Sequence, residues 1–161
     1  MQLISVAAVA DNGVIGDDDE VPWHLPEDKR QYRERVADYP TVYGRRTYEM
    51  FDDPPGSAYV VLSRTERAYD RENAYHAESV DDAAEIAESL DADRAYVLGG
   101  AGIYALFQPH LDGMVLTRVP GEYEGDSYYP EWSEDDWRLV EREEYENFAV
   151  ERWERTGTND R

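Results

Sequence analysis

The apolar and polar positions along the chain divide it into short buried runs, turns and stretches of helical spacing. Residues 3–9 form an apolar run that predicts a buried first strand, its small Ala7 and Ala8 leaving room for something to lie against it. Pro26 opens a helix with Glu27 and Asp28 in its first turn, where the helix dipole favours acids. Residues 41–44 predict a short strand running into a helical turn over 45–51, and 58–63 a further apolar strand. Over 81–90, Ala83, Ala84, Ile86, Ala87 and Leu90 share one face, an amphipathic helix with acids opposite. A buried strand at 95–98 leads through Gly99-Gly100-Ala101-Gly102 into a short helix at 103–107, followed by a strand at 114–119. The stretch 137–154 alternates as two strands joined near Glu146 and Asn147. There is no internal repeat or linker, and Pro54-Pro55-Gly56 is short enough to be a turn.

Strands alternating with helices predict an α/β fold. The expectation is a single domain over residues 1–161, a mostly parallel twisted sheet flanked by helices, with an antiparallel C-terminal strand pair. Ligands in such sheets bind beyond the carboxyl ends of the strands. Residues 9–16, 44–47, 63–64 and 99–102 should therefore meet on one rim.

Composition narrows the function classes. The 161 residues contain no cysteine, which removes disulfides and Cys-based metal or redox sites. No basic segment precedes the first apolar run and nothing approaches a membrane span, so the expectation is a soluble, cytoplasmic protein. Asp and Glu number 37 against 16 Lys plus Arg, a formal charge of −21, and Lys29 is the single lysine. Such a surface repels nucleic acid and anionic membrane, so neither is an expected partner. The acids are scattered rather than gathered in a tail, which suits a whole surface adapted to concentrated salt. At about 1 M salt the Debye length is only ~3 Å, and self-repulsion is screened.

Four segments carry candidate chemistry. Glycines at 99–102, between strand and helix, let backbone N–H groups approach a phosphate, although a tight turn uses glycine equally well. Gly44-Arg45-Arg46-Thr47 and Ser63-Arg64 place three arginines on the same rim of a polyanionic chain, which suits a phosphate-rich ligand; solvated ion pairs with neighbouring acids are the other reading. In Pro22-Trp23-His24-Leu25-Pro26-Glu27-Asp28, two prolines clamp the helix entry and Asp28 shares a face with Tyr32. A carboxylate there could accept two N–H donors from a flat heterocycle packed on Tyr32, and burial would raise its pKa. It could equally serve only the helix dipole. The three histidines lack metal-ligand spacing, so no metal site is expected, and no nucleophile elbow occurs.

Together these segments resemble the dihydrofolate reductase family over nearly the whole chain. The resemblance runs through Ile4-Ser5-Val6-Ala7-Ala8, Val14-Ile15-Gly16, Pro-Trp-His-Leu-Pro-Glu-Asp, Gly-Arg-Arg-Thr-Tyr-Glu, Val61-Leu62-Ser63-Arg64, Leu98-Gly99-Gly100-Ala101-Gly102-Ile103-Tyr104, Leu116-Thr117 and Gly125-Asp126-Ser127. The acid excess and single lysine make it look like a member from a salt-loving archaeon. The resemblance implies hydride transfer from NADPH to 7,8-dihydrofolate, with dihydrofolate and antifolate small molecules as ligands and a monomeric protein.

It also implies roles. Asp28, Thr117 and Trp23 would form the catalytic set, Asp28 holding the pterin's amidine edge and Thr117 bonding that carboxylate. Val6, Ala7, Tyr32, Phe51, Leu98 and Tyr104 would line the substrate pocket. Ala8, Ile15 and Gly16 would face the nicotinamide, with Trp23 anchoring the covering segment 16–21. Gly44, Arg45, Arg46, Thr47, Leu62, Ser63 and Arg64 would hold the cofactor's phosphate-bearing half. Gly99, Gly100, Ala101, Gly102, Ile103 and Tyr104 would cradle its pyrophosphate. Where the family usually has an arginine for the folate's glutamate tail stands Ser57, so the expectation is a tail held weakly or by Arg33, with Arg30 the other candidate. A same-fold reductase of flavin biosynthesis would not need Asp28 together with Thr117, and a non-catalytic nucleotide-binding module would leave Asp28 idle.

The charge pattern makes one prediction by itself. The thermal unfolding midpoint should fall steeply when potassium chloride is diluted from molar to tens of millimolar. A midpoint independent of salt would show that the acids are not a salt adaptation.

Overall fold

In a computed structural model, residues 1–16, 23–51, 53–64 and 72–156 are described. The strands are β1 (Gln2–Ala10), β2 (Val14–Gly16), β3 (Pro40–Gly44), β4 (Ala58–Leu62), β5 (Ala74–Ala77), β6 (Arg94–Val97), β7 (Gly113–Val119), β8 (Ser127–Tyr128), β9 (Trp137–Glu144) and β10 (Ala149–Arg155). Four α-helices, α1 (Pro26–Val36), α2 (Arg45–Glu49), α3 (Val80–Ser89) and α4 (Ala101–Phe107), connect them. Local chemistry explains the helix ends. Pro26 starts α1 with Glu27 and Asp28 in its first turn and Arg33 and Arg35 in its last, both signs matching the dipole. Ser79 caps α3 by accepting the Asp82 N–H at 3.0 Å.

Eight strands form one sheet in the order β5-β4-β3-β6-β1-β7-β10-β9, and β2 pairs separately with β8. All neighbours from β5 to β7 are parallel, whereas β10 runs antiparallel to β7 and β9 antiparallel to β10. The sheet class and the closing antiparallel pair are as the sequence predicts. Strands β2, β5 and β8 are additional. Each is two to four residues long, too short for a periodicity to register.

The pleat divides the side chains between two layers. On one face Leu3, Ala7 and Val9 of β1 pack with Val42, Val60, Val97 and Leu116 under Val80, Ala83 and Ala87 of α3 and Tyr104 and Phe107 of α4. On the other face Val6, Tyr43, Val61, Tyr96, Leu98 and Val115 pack under Val36 and Tyr32 of α1 and Tyr48 of α2. The short α2 is held by rings: Tyr43 meets Tyr48 at 5.7 Å and Phe51 at 5.8 Å, both edge to face. The turn before β4 is fixed from below. Thr41 Oγ1 and the Tyr43 hydroxyl both donate to the Pro55 carbonyl, at 2.9 and 2.7 Å.

The antiparallel edge is held by a buried acid. Glu151, only 8% exposed, accepts from Trp153 Nε1 at 3.0 Å and pairs with Arg142 of β9 and, at 3.7 Å, Arg118 of β7. Three donors offset the cost of desolvating that carboxylate and join β7, β9 and β10.

Candidate functional site

The site begins where α1 meets β7. The first turn of α1 brings Asp28 over the sheet, and Thr117, 5% exposed, rises from β7 between Ala8 of β1 and Val150 of β10 in register. Thr117 Oγ1 donates to Asp28 Oδ1 at 2.5 Å across 89 residues of sequence. The Asp28 carboxyl is half-buried. Loss of hydration pushes its pKa above the ordinary aspartate value, opposed by the Thr117 hydrogen bond and then by the positive charge of Arg35. Burial also drives the Tyr32 phenol well up, so it stays neutral beside this carboxyl.

Around that pair, Val6, Tyr32, Phe51 and Leu98 pack in one layer and form an apolar wall. The Ala7 and Tyr104 side chains belong to the opposite layer. Tyr104 reaches back through its hydroxyl, which donates to the Val6 carbonyl at 2.7 Å. Ala7 can therefore meet a ligand on the Asp28 side only through its backbone.

A second part of the site lies at the carboxyl ends of β3, β4 and β6. Gly44 N–H donates to the Gly99 carbonyl at 2.9 Å, and the N–H groups of Ile103 and Tyr104 converge on the Gly100 carbonyl at 3.0 and 2.9 Å. The glycines are there because the parts touch. A Cβ on Gly44 would lie 3.0 Å from Ile103 Cγ1, one on Gly100 3.2 Å from Thr47 Oγ1, and one on Gly99 2.8 Å from Tyr104 Cε2. The N-terminal ends of α2 and α4 are thus brought side by side. Around Gly102 nothing lies within 4 Å of a notional Cβ, so that stretch of backbone is open to a ligand. Ala101 and Ile103 are half-buried beside it.

The arginines are distributed as follows. Arg45 pairs with Glu49 one turn on, at 3.2 Å, while Arg46 and Arg64 are exposed. Ser63 is half-buried after the buried Leu62. The Arg45 pair realises in part the alternative that these arginines serve neighbouring acids. Two abutting helix starts, an open glycine and guanidiniums around them fit a ligand carrying several phosphates.

Trp23 sits half-buried just before α1, its ring edge to face with Tyr123 at 5.1 Å. Ile15 packs against the α3 and α4 layer, and Gly16 pairs with Ser127. The covering segment expected at 16–21 lies, beyond Gly16, outside the described residues. Tyr123 was not legible as a partner of Trp23 in the sequence, since it stands about a hundred residues further on, in a stretch without periodicity.

Further along α1, Arg33 Nη2 donates to the Asp53 carbonyl at 2.9 Å. Arg30 instead is bracketed by Glu27 and Glu34, both at 2.6 Å. Ser57 is exposed and lines a cleft of about 590 Å³ with Asp38, Tyr39, Asn73 and Asp91, at the amino ends of the strands rather than the rim.

Comparison with known proteins identifies the family. Residues 2–155 match the family model for dihydrofolate reductase. A dihydrofolate reductase of Haloferax volcanii (HdrB) is 37% identical, over 96% of this chain and 84% of its own. Dihydrofolate reductase 1 of Haloarcula marismortui is 36% identical, over 95% of this chain and 91% of its own. The solved dihydrofolate reductase of Enterococcus faecalis, in complex with NADP(H) and RAB-propyl, superposes with a TM-score of 0.79 at 25% identity, covering 96% of each chain. With a carboxylate at the start of α1, a glycine-lined crevice on the same rim and a family match spanning the whole sheet, the chain belongs to the dihydrofolate reductase family.

Proposed function

We propose that Asp28, held by Thr117, is the group that binds and orients the pterin in the NADPH-dependent reduction of dihydrofolate to tetrahydrofolate. The reaction class is that of the family. The observation that supports this assignment of residues is the 2.5 Å hydrogen bond between Thr117 and Asp28 beside an apolar wall. Thr117 leaves Asp28 Oδ2 to face a ligand, and the second lone pairs of Oδ1 remain available for a paired N–H donor. Val6, Tyr32, Phe51 and Leu98 exclude water from the ring, and the same loss of hydration shifts the Asp28 pKa upward.

NADPH supplies the hydride when bound. Gly44, Thr47, Ser63 and the backbone of 99–104 would hold its phosphates, with Arg45, Arg46 and Arg64 adding charge. Ala8, beside Thr117 in register, and Ile15 would set the nicotinamide against the pterin. Orientation of two rings in a dry crevice is the main contribution of the chain. Trp23 would border that crevice. Arg33 would read the carboxylate of the substrate's tail, since it lies on the same helix as Asp28 and leans towards the turn at Asp53. Among the described residues no helix is long and apolar enough to cross a membrane.

Three outcomes test these assignments. Asp28→Asn should lower the rate of absorbance loss at 340 nm with dihydrofolate and NADPH by about 100-fold or more at neutral pH in molar potassium chloride. Turnover close to wild type would remove Asp28 from its role.

A second test uses pH. The folded state holds the Asp28 proton more tightly than the unfolded chain. Its contribution to stability is therefore complete below the ordinary aspartate pKa and lost as pH rises through the higher folded value. The unfolding free energy of wild type relative to Asp28→Asn should fall over that interval. In Thr117→Val, which lacks the hydrogen bond that lowers the pKa, the fall should extend to higher pH. Denaturant titrations at fixed salt measure both.

A third test concerns the tail. Arg33→Ala should weaken binding of a folate analogue with a glutamate tail by about tenfold, as expected for losing one charged hydrogen bond, and leave a tail-less analogue unaffected. Equal affinities across all four combinations would show that Arg33 does not read the tail.

A further inference from the structure

Trp23 is carried on the approach to α1, yet its ring is placed from elsewhere. Its edge-to-face partner, Tyr123, lies on the connection between β7 and β8, at a centroid distance of 5.1 Å and an interplanar angle of 70°. That connection has no helix or strand of its own between Val119 and Ser127, so its position must come from bonds to other segments. Four such bonds join it to the turn after β1. Asp11 N–H donates to the Gly121 carbonyl at 3.0 Å and Gly121 N–H returns to Asp11 Oδ2 at 2.8 Å. Asn12 Nδ2 donates to the Tyr123 carbonyl at 2.9 Å, and Tyr123 N–H approaches Asn12 Oδ1 at 3.4 Å. The Asn12 side chain thus brackets the Tyr123 backbone on both of its polar groups. Gly121 has φ +102°, the left-handed region where a side chain would be strained, so the reversal that aims Tyr123 is built on a glycine.

The geometry points to Tyr123 as a positioning residue for the reaction: through its ring it fixes Trp23 at the border of the crevice next to Asp28, without touching substrate or cofactor. This rests on the reading of Asp28 and Trp23 given under Proposed function. The physical reason is directional. An edge-to-face pair sets the tilt of the indole as well as its distance. A β-strand floor and a helix start hold Asp28, but the described contacts of the Trp23 ring come from this connection. The same connection continues into β8, which pairs with β2 through Val14–Tyr128 and Gly16–Ser127. The β1–β2 turn, β2 and Trp23 are therefore all referenced to one segment.

The test compares Tyr123→Leu with Tyr123→Phe. Without any cofactor added, the indole N–H resonance of Trp23, identified by its loss in Trp23→Phe, reports the ring current of residue 123. It should move in Tyr123→Leu and stay near wild type in Tyr123→Phe, which keeps the ring. In single-turnover measurements Tyr123→Leu should slow hydride transfer by about 3- to 10-fold, the loss expected if the pair's geometric energy is felt in the transition state. Affinity for a diaminopteridine ligand, which reads Asp28, should change less than about twofold, and Tyr123→Phe should restore the rate. An unmoved indole resonance or an unchanged hydride-transfer rate in Tyr123→Leu would overturn the assignment, as would a Phe variant as slow as Leu. These failures are distinct from failure of the Asp28 reading, because Asp28→Asn tests that carboxylate with Tyr123 intact.

Discussion

Insertion of β6 between β3 and β1 is the constraint on which the rest of the structure depends. The chain leaves β1 and skips one strand position before laying down β3, β4 and β5 outward; β6 then returns to fill the gap. Helix α2 follows β3 on one face of the sheet, and α4 follows β6 on the other. Two adjacent parallel strands that depart to opposite faces leave a crevice at their carboxyl ends. Gly44 and Gly99 close the floor of that crevice with a backbone hydrogen bond of 2.9 Å, and a Cβ on Gly44 would crowd Ile103 while one on Gly99 would press on the Tyr104 ring.

Asp28 exploits the other end of the same rim. It is one of 37 acids in a chain of charge −21, and most of the others face solvent, where each is stabilised by hydration and screened by salt. Asp28 is separated from them by its partner. A threonine of β7 satisfies one oxygen, apolar walls remove water from the surroundings, and the carboxyl is consequently shifted upward. Glu151 shows the contrasting solution. It is buried more fully, but Arg118, Arg142 and the Trp153 N–H surround it, so it serves to join strands and has no face left for a ligand.

Much of this was legible in the sequence because it is local. Apolar runs of strand length, the Pro26 helix start, the acids in its first turn and the glycines at 99–102 are all properties of short windows, and β1, β3, β4, β6 and β7 and all four α-helices appear where those windows place them, within about two residues. The two-stranded pairing of β2 with β8 escaped, since three- and two-residue strands carry no period of their own. The Trp23–Tyr123 pair escaped for a related reason, as nothing within either segment specifies the other.

By itself, the sequence determined the class of fold, the chemical types available and the rim on which they lie, because side-chain period, turn residues and helix signals act over a few positions. It also determined the surface charge, which is a sum and needs no geometry. Tertiary structure alone decided what sets Asp28 apart from the other acids. Thr117 reaches Asp28 across 89 residues, Ala7 turns away from Val6 by the pleat, Arg30 is taken up by two glutamates while Arg33 leans to Asp53, and Tyr123 is brought to Trp23. Each of these depends on the order and register of strands, and those are set by how two apolar layers close around one sheet rather than by any single stretch of chain.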